Sequence, residues 1–267
     1  MPVGTGTRVL FFDIFGTTVE WRTCVTRALQ QASHRALQHR QTHSPALHAR
    51  ALAMTDDNWL GMAEDWRASY YRFTEGFDPS SPRAKFISVD QHHYESLVEL
   101  LQQRSLHDLF LEHELRDLAK CWHRLDPWED TIEGLELLST KFRTCTLSNG
   151  NLDLLQGLVA HARLPFTDLI SAEFFSAYKP SPRVYLGAAE RLGVAPAQCV
   201  LVAAHLNDLR AARECGFGTI FVERVKEEPG SWKQAVRDGY LDFAVGLDSE
   251  SKGFVEVARL LGIGDVL

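Results

Sequence analysis

The sequence predicts an α/β protein, a doubly wound parallel sheet with a long helical segment inserted after its first strand. Three observations carry this. From residue 126 onward, short apolar runs alternate with stretches of helical spacing, the pattern of repeated strand-helix units in a parallel sheet. One more apolar run, Val9 to Phe12, stands far upstream. Between them, residues 22–125 show helical periodicity and no convincing strand.

Arg8-Val9-Leu10-Phe11-Phe12-Asp13 is apolar without a helical period, as in a strand buried on both faces. It ends at Asp13-Ile14-Phe15-Gly16-Thr17-Thr18, where Gly16 supplies a turn. Breaks at Ser44-Pro45, Asp78-Pro79 and Ser81-Pro82 divide the middle segment into four or five helices. After Asp126-Pro127-Trp128, a helix is expected from Ile132 to Lys141. A strand from Arg143 to Leu147 then ends at Ser148-Asn149-Gly150. Leu152 to Ala162 reads as a helix and Leu169 to Ser171 as a short strand. Arg183 to Leu192 is a helix with Gly193 just past its end. Cys199 to Ala203 is a buried strand, Asn207 to Cys215 a helix, and Gly218 to Val222 a strand. The expected organisation is an α/β core from 1–21 and 126–267, with a helical domain from 22–125.

At 267 residues and 45% hydrophobic, the chain can bury a sizeable core. A net charge of -7 without basic clusters argues against nucleic acid as a partner. The five cysteines (Cys24, Cys121, Cys145, Cys199, Cys215) include no CxxC pair. A disulfide framework or zinc knuckle is therefore not expected. No apolar stretch reaches the roughly 18 residues of a membrane span. Met1-Pro2-Val3-Gly4-Thr5 opens without a basic region followed by a long apolar one. A soluble, cytoplasmic protein without membrane contact is expected.

Four strand ends carry polar residues: Asp13 with Thr17, Ser148 with Asn149, Lys179 before Pro180, and His205 with Asp208. Carboxyl ends of parallel strands converge on one edge, so these groups could meet. Each also has a plainer reading. The acid could be a helix cap, Ser-Asn turn chemistry, the lysine a solvated surface residue, and the histidine a structural one. Four in this order are harder to assign to chance.

At these residues the chain resembles the haloacid dehalogenase superfamily. Phe12-Asp13-Ile14-Phe15-Gly16-Thr17 looks like its first motif, Leu147-Ser148-Asn149-Gly150 its second and Tyr178-Lys179-Pro180 its third. Val202-Ala203-Ala204-His205-Leu206-Asn207-Asp208 looks like its fourth. The order fits across nearly the whole chain, and residues 22–125 fall where the family places a helical cap. The resemblance implies a Rossmann-like core and a carboxylate nucleophile at Asp13.

Superfamily phosphatases normally have an acid two residues after the nucleophile and another four before the last aspartate. Phe15 and Ala204 stand there. Magnesium relies on such carboxylates, and an alcohol leaving group needs a proton donor. Halide needs none. The chain is further similar to the type II (S)-2-haloacid dehalogenases. Phe15 matches their aromatic residue, Lys179-Pro180-Ser181-Pro182-Arg183-Val184-Tyr185 continues to their tyrosine, and Trp66-Arg67 is similar to their cap pair. Two departures stand out: Ala203-Ala204-His205 replaces a frequent Ser-Ser-Asn run, and Asn207 an occasional tryptophan.

The resemblance implies conversion of a 2-haloacid to a 2-hydroxy acid through an aspartyl ester, with inversion at C2 and neither metal nor cofactor. Asp13 attacks, Lys179 holds it ionised, and Thr17 and Ser148 orient its oxygens. Backbone N–H groups near Thr17 receive the substrate carboxylate. Arg67, Asn149, Phe15 and Tyr185 form the substrate and halide site. Asp208 assists water, and His205 orients that water or acts as a base. Without the resemblance, Arg67 reads as an exposed helix arginine paired with Glu64. The partners implied are the haloacid and halide, with a homodimer also implied. The alternatives are a phosphatase with a rebuilt metal site, a superfamily hydrolase acting on a larger metabolite, and a non-catalytic binding protein on the same fold.

Overall fold

The computed structural model describes residues 3, 6–39, 44–81, 85–228 and 230–263. Pro82 of the expected third break lies outside them, as do Met1, Pro2, Gly4 and Thr5. The chain opens with β1 (Val9–Phe12) and a short β2 (Val19–Glu20). Five helices follow: α1 (Arg22–His39), α2 (Pro45–Leu52), α3 (Asp56–Glu75), α4 (Val89–Gln103) and α5 (Glu112–Ala119). Next come β3 (Asp126–Pro127), α6 (Thr131–Ser139), β4 (Arg143–Thr146), α7 (Leu152–Ala162) and α8 (Pro182–Arg191). The chain continues through β5 (Cys199–Ala203), α9 (Leu206–Glu214), β6 (Gly218–Val222), α10 (Trp232–Arg237), β7 (Phe243–Val245) and α11 (Gly253–Leu260).

Five strands form one parallel sheet in the order β4-β1-β5-β6-β7. Phe12 of β1 pairs with Thr146 on one side and Val202 on the other. The sheet grows outward from β1 in both directions, so its switch point lies at the carboxyl end of β1. Ligands bind at that place in open α/β sheets. Side chains alternate across the sheet. Leu10 and Phe12 join Leu135, Leu138, Phe254 and Val257 on one face. Val9 and Phe11 join Val184, Tyr185, Leu209 and Ala212 on the other. Burial on both faces explains why these strands read as unbroken apolar runs.

The middle segment is helical, as its periodicity predicts. Ser44 caps α2 through its hydroxyl, and Thr55 with Asn58 forms a capping box at the start of α3. Trp66 of α3 and Trp122 pack ring edge to face at 5.5 Å. The chain leaves the sheet through β2 and returns through β3, and these two pair antiparallel.

One expected element is corrected. Residues 169–171 form no strand. Only isolated bridges occur there, Cys145 to Asp168 and Ser148 to Ser171. The Ser171 hydroxyl instead accepts from Glu173 N and starts a short 3-10 helix over Ala172–Phe175, which ends the extended stretch. Five elements went unread: β2, β3, β7, α10 and α11.

Candidate active site

Asp13 follows β1 directly. Its N–H donates to Val202 O at 3.1 Å and its carbonyl accepts from the Thr18 hydroxyl at 2.6 Å, so the backbone is fixed on both sides. Gly16, at φ +85°, turns the chain back towards β2. The N–H groups of Gly16, Thr18 and Val19 all donate within the loop. Those three are therefore not free to hold a substrate carboxylate, which leaves the N–H groups of Ile14, Phe15 and Thr17 in the same loop for that role.

The structure brings together residues from all four polar positions, although Lys179 lies in the loop before α8 and not at a strand end. Lys179 Nζ lies 2.9 Å from Asp13 Oδ1 and 2.5 Å from Asp208 Oδ2. The ammonium thus bridges two buried carboxylates. Burial opposes the charge on Asp13, but Lys179 and His205 overcome it and hold its carboxyl far below the usual range. Burial also opposes the Lys179 charge, and the two carboxylates raise its pKa nonetheless. Asp208 goes the other way: burial pushes it up against the pull of Lys179. Among the described residues no group of three or more His, Cys, Asp or Glu side chains is arranged to hold a metal ion.

Thr17 behaves as expected, its hydroxyl donating to Asp13 Oδ2 at 2.7 Å. It accepts in turn from the Ala204 N–H at 2.9 Å, so its hydrogen is committed to Asp13. Ser148 does not. Its hydroxyl accepts from Gly150 N at 3.1 Å, and no hydrogen bond described joins it to Asp13. Asn149 grips the Lys179 backbone on both sides, accepting from its N–H at 2.6 Å and donating to its carbonyl at 3.2 Å. Tyr185 lies beneath the site rather than in it. Fully buried on α8, it donates to Asp208 Oδ1 at 2.5 Å.

His205 precedes α9. Its Nδ1 is 3.1 Å from Asp13 Oδ2, and its Nε2 is 3.2 Å from the Tyr71 hydroxyl. Burial disfavours the imidazolium, but Tyr71, Asp13 and Glu227 outweigh it and lift the His205 pKa well above its ordinary value. Of the two expected roles, that shift favours the imidazolium as a hydrogen-bond donor over the neutral ring as a base for water.

Arg67 is 5% exposed and has no bond to Glu64, which pairs with Arg22 instead. Its Nη2 donates to Phe15 O at 3.2 Å and to the Tyr71 hydroxyl at 3.0 Å. Its Nε and Nη1 have no hydrogen-bond partner among the described residues. Tyr71 and Tyr70 lie 4.5 and 4.7 Å from the guanidinium carbon by ring centroid, and Phe15 at 5.5 Å. With Asp13, Asn149, Lys179, His205, Asn207 and Asp208, these residues line a cavity of about 50 Å³.

Sequence reasoning missed three supporting groups. Tyr71 links Arg67 to His205. Glu227 follows β6, lies 3.5 Å from His205 Nε2 and accepts from Trp21 Nε1 at 2.8 Å. Arg224 donates to the Thr17 carbonyl at 2.9 Å while pairing with Asp130 at 2.5 Å. Asp130 also accepts from Phe254 N of α11 at 2.7 Å. The usable signal was position, because residues 223–228 follow the carboxyl end of another parallel strand, at the same edge as Asp13.

The pattern of the haloacid dehalogenase-like hydrolases matches residues 7–216. An (S)-2-haloacid dehalogenase of Xanthobacter autotrophicus is 36% identical over 116 residues, 43% of this chain and 46% of that one. The chain spans about half the length of the curated relatives it matches. Two crystal structures superpose over nearly all of it. A defluorinating L-2-haloacid dehalogenase has a TM-score of 0.80 at 28% identity, covering 98% of this chain and 100% of that one. Another L-2-haloacid dehalogenase has 0.74 at 30%, covering 96% and 99%.

Proposed function

Because the chain belongs to the haloacid dehalogenase-like hydrolases, we propose that it hydrolyses the carbon–halogen bond of a small 2-haloacid. One observation carries the reading. An ionised Asp13 and a buried arginine with two unpartnered nitrogens line the same small cavity. A nucleophile opposite an anion receptor is what displacement of halide needs.

Asp13 attacks C2 in line and expels halide, giving an ester and inverting C2. Lys179 keeps Asp13 ionised, so no base is needed. Arg67, with Asn149 beside it, receives the halide, and residues 22–125 act as the cap that carries Arg67 and keeps water out. Phe15 and Tyr70 wall the cavity. Water then attacks the ester, with Asp208 as the base. Its raised pKa makes it a stronger base than an ordinary carboxylate, and Tyr185 holds it in place.

The cavity, about 50 Å³, favours a haloacid of two or three carbons over a large metabolite. The phosphatase reading lacks both its extra acids. Phe15 is apolar, and Ala204 offers only its N–H, which goes to Thr17.

The test is isotopic. Single turnover in heavy-oxygen water should label Asp13 and leave the first product unlabelled, and Asp13→Asn should lose at least about 10⁴-fold in rate. Product labelled directly from solvent would sink the covalent route. Absence of halide release from a panel of 2-haloacids, with and without chelator, would sink the dehalogenase assignment.

A further inference from the structure

One imidazole stands between two buried carboxylates beside the reacting group. His205 Nδ1 faces Asp13 Oδ2 at 3.1 Å, and Nε2 faces Glu227 Oε2 at 3.5 Å. An ionised carboxylate has no hydrogen to give, so Nδ1 is the donor to Asp13. A second carboxylate at Nε2 favours a hydrogen there too. Glu227 is itself fixed: its side chain is 4% exposed, Trp21 Nε1 donates to it, and Arg22 Nη2 lies 3.7 Å away. Gly16 makes room for it. A Cβ at Gly16 would lie 2.2 Å from Glu227 Oε2.

The two oxygens of Asp13 are not equivalent. Oδ2 meets both Thr17 and His205, whereas Oδ1 meets Lys179. A carboxylate oxygen has two in-plane lone pairs, so Oδ2 is saturated and Oδ1 keeps one free. Oδ1 is then the attacking atom, and Oδ2 becomes the carbonyl oxygen of the ester.

We propose that Thr17 and His205 form an oxyanion hole for hydrolysis of the Asp13 ester, and that Glu227 is the positioning residue that keeps His205 Nδ1 donating into it. The inference rests on Asp13 being the nucleophile. Water bonds to Cγ and gives a proton to Asp208, while the C=O π pair moves onto Oδ2. As that pair returns, the Cγ–Oδ1 bond breaks. The departing alkoxide takes the proton from Asp208 and leaves as the hydroxyl of the product. The new carboxylic acid releases its remaining proton to solvent, restoring the Asp13 carboxylate. Donors already aimed at Oδ2 need no rearrangement when charge develops there. Around the ring stand Asp13, Glu227 and Tyr71, with Lys179, Arg67 and Arg22 one contact further out.

The experiment is rapid-quench turnover of chloroacetate, with halide and intact mass followed together. In His205→Ala the first equivalent of halide should appear as in the wild type. Steady-state turnover should then fall about 10²- to 10³-fold, with the ester accumulating on the chain. His205→Asn keeps a neutral N–H donor and should retain more of the rate. Glu227→Gln should turn over nearly normally in acid and lose rate as pH rises, while the wild type stays flat. Nitrogen-15 spectra should show both His205 nitrogens protonated at pH 8 in the wild type and titrating in Glu227→Gln. A wild type that turns over while these variants match it, with no ester accumulating, overturns this inference alone. A His205 with no proton on Nδ1 at pH 7 also overturns it. A wild type releasing no halide overturns the inference together with the reading it rests on.

Discussion

Lys179 and Arg67 are two cations at one cavity, 7% and 5% exposed, yet they are treated in opposite ways. Lys179, from the sheet side, touches two carboxylates and has its backbone clasped by Asn149. Arg67, from the helical side, sits among aromatic rings with two nitrogens unpartnered. An unpaired buried charge is costly, and folding alone gives no reason to keep one. The sheet side is thus fully paired, and the helical side keeps two donors that the proposed anion would fill.

Paired substitutions break this comparison most sharply. Lys179→Met leaves Asp13 and Asp208 buried without their cation and should cost about 3–5 kcal/mol of stability, read by urea unfolding, along with most activity. Arg67→Met removes a charge that had too few partners. It should leave stability unchanged or improved, while turnover collapses. If both variants unfold alike, the two cations do not differ as argued.

A smaller effect comes from halide itself. Bromide at ten times its dissociation constant should stabilise the wild type by about 1.4 kcal/mol, a rise of roughly 2–4 °C in Tm. Arg67→Met should show no rise beyond that of a general salt effect.

The smallest effect is in acid. Asp13 is depressed in the folded state. Its contribution is therefore present above the ordinary carboxylate pKa of 3.8 and is lost progressively as pH falls below it. The unfolded chains titrate alike, so the stability gap between wild type and Lys179→Met should narrow as pH falls, because the uncompensated carboxylates of the folded variant take up protons that Asp13 of the wild type does not. A gap that widens in acid would mean the pair is not what sets the Asp13 pKa.

The sheet side was also the more legible half. Asp13 follows β1 and Asp208 opens α9, and apolar runs mark such strands well, while Lys179 lies in the loop before α8. Ser148 and Tyr185 were legible as neighbours but not in their contacts, because a strand end does not say which way a hydroxyl turns. Arg67 was harder. On an amphipathic helix an arginine next to Glu64 reads as solvated, and only the packing of Tyr70, Tyr71 and Phe15 around it shows otherwise. Glu227 lies in a charged run, Arg224 to Glu228, that resembles an exposed loop. Its burial depends on Trp21 and Gly16, two hundred positions away in the chain. Residues 169–171 fail for a local reason, since a serine that caps its own turn outcompetes a short ladder.

The clasp from Arg224 to the Thr17 carbonyl, braced through Asp130 to the Phe254 N–H, has a consequence for synthesis. The nucleophile loop leaves the ribosome well before its brace, which lies 207 residues further along the chain. Strand β1 must also wait for β4 and β5, which flank it in the finished sheet. No partly made chain can therefore present a working Asp13, and a truncation that removes α11 should cost the enzyme its activity although every residue of the cavity is retained.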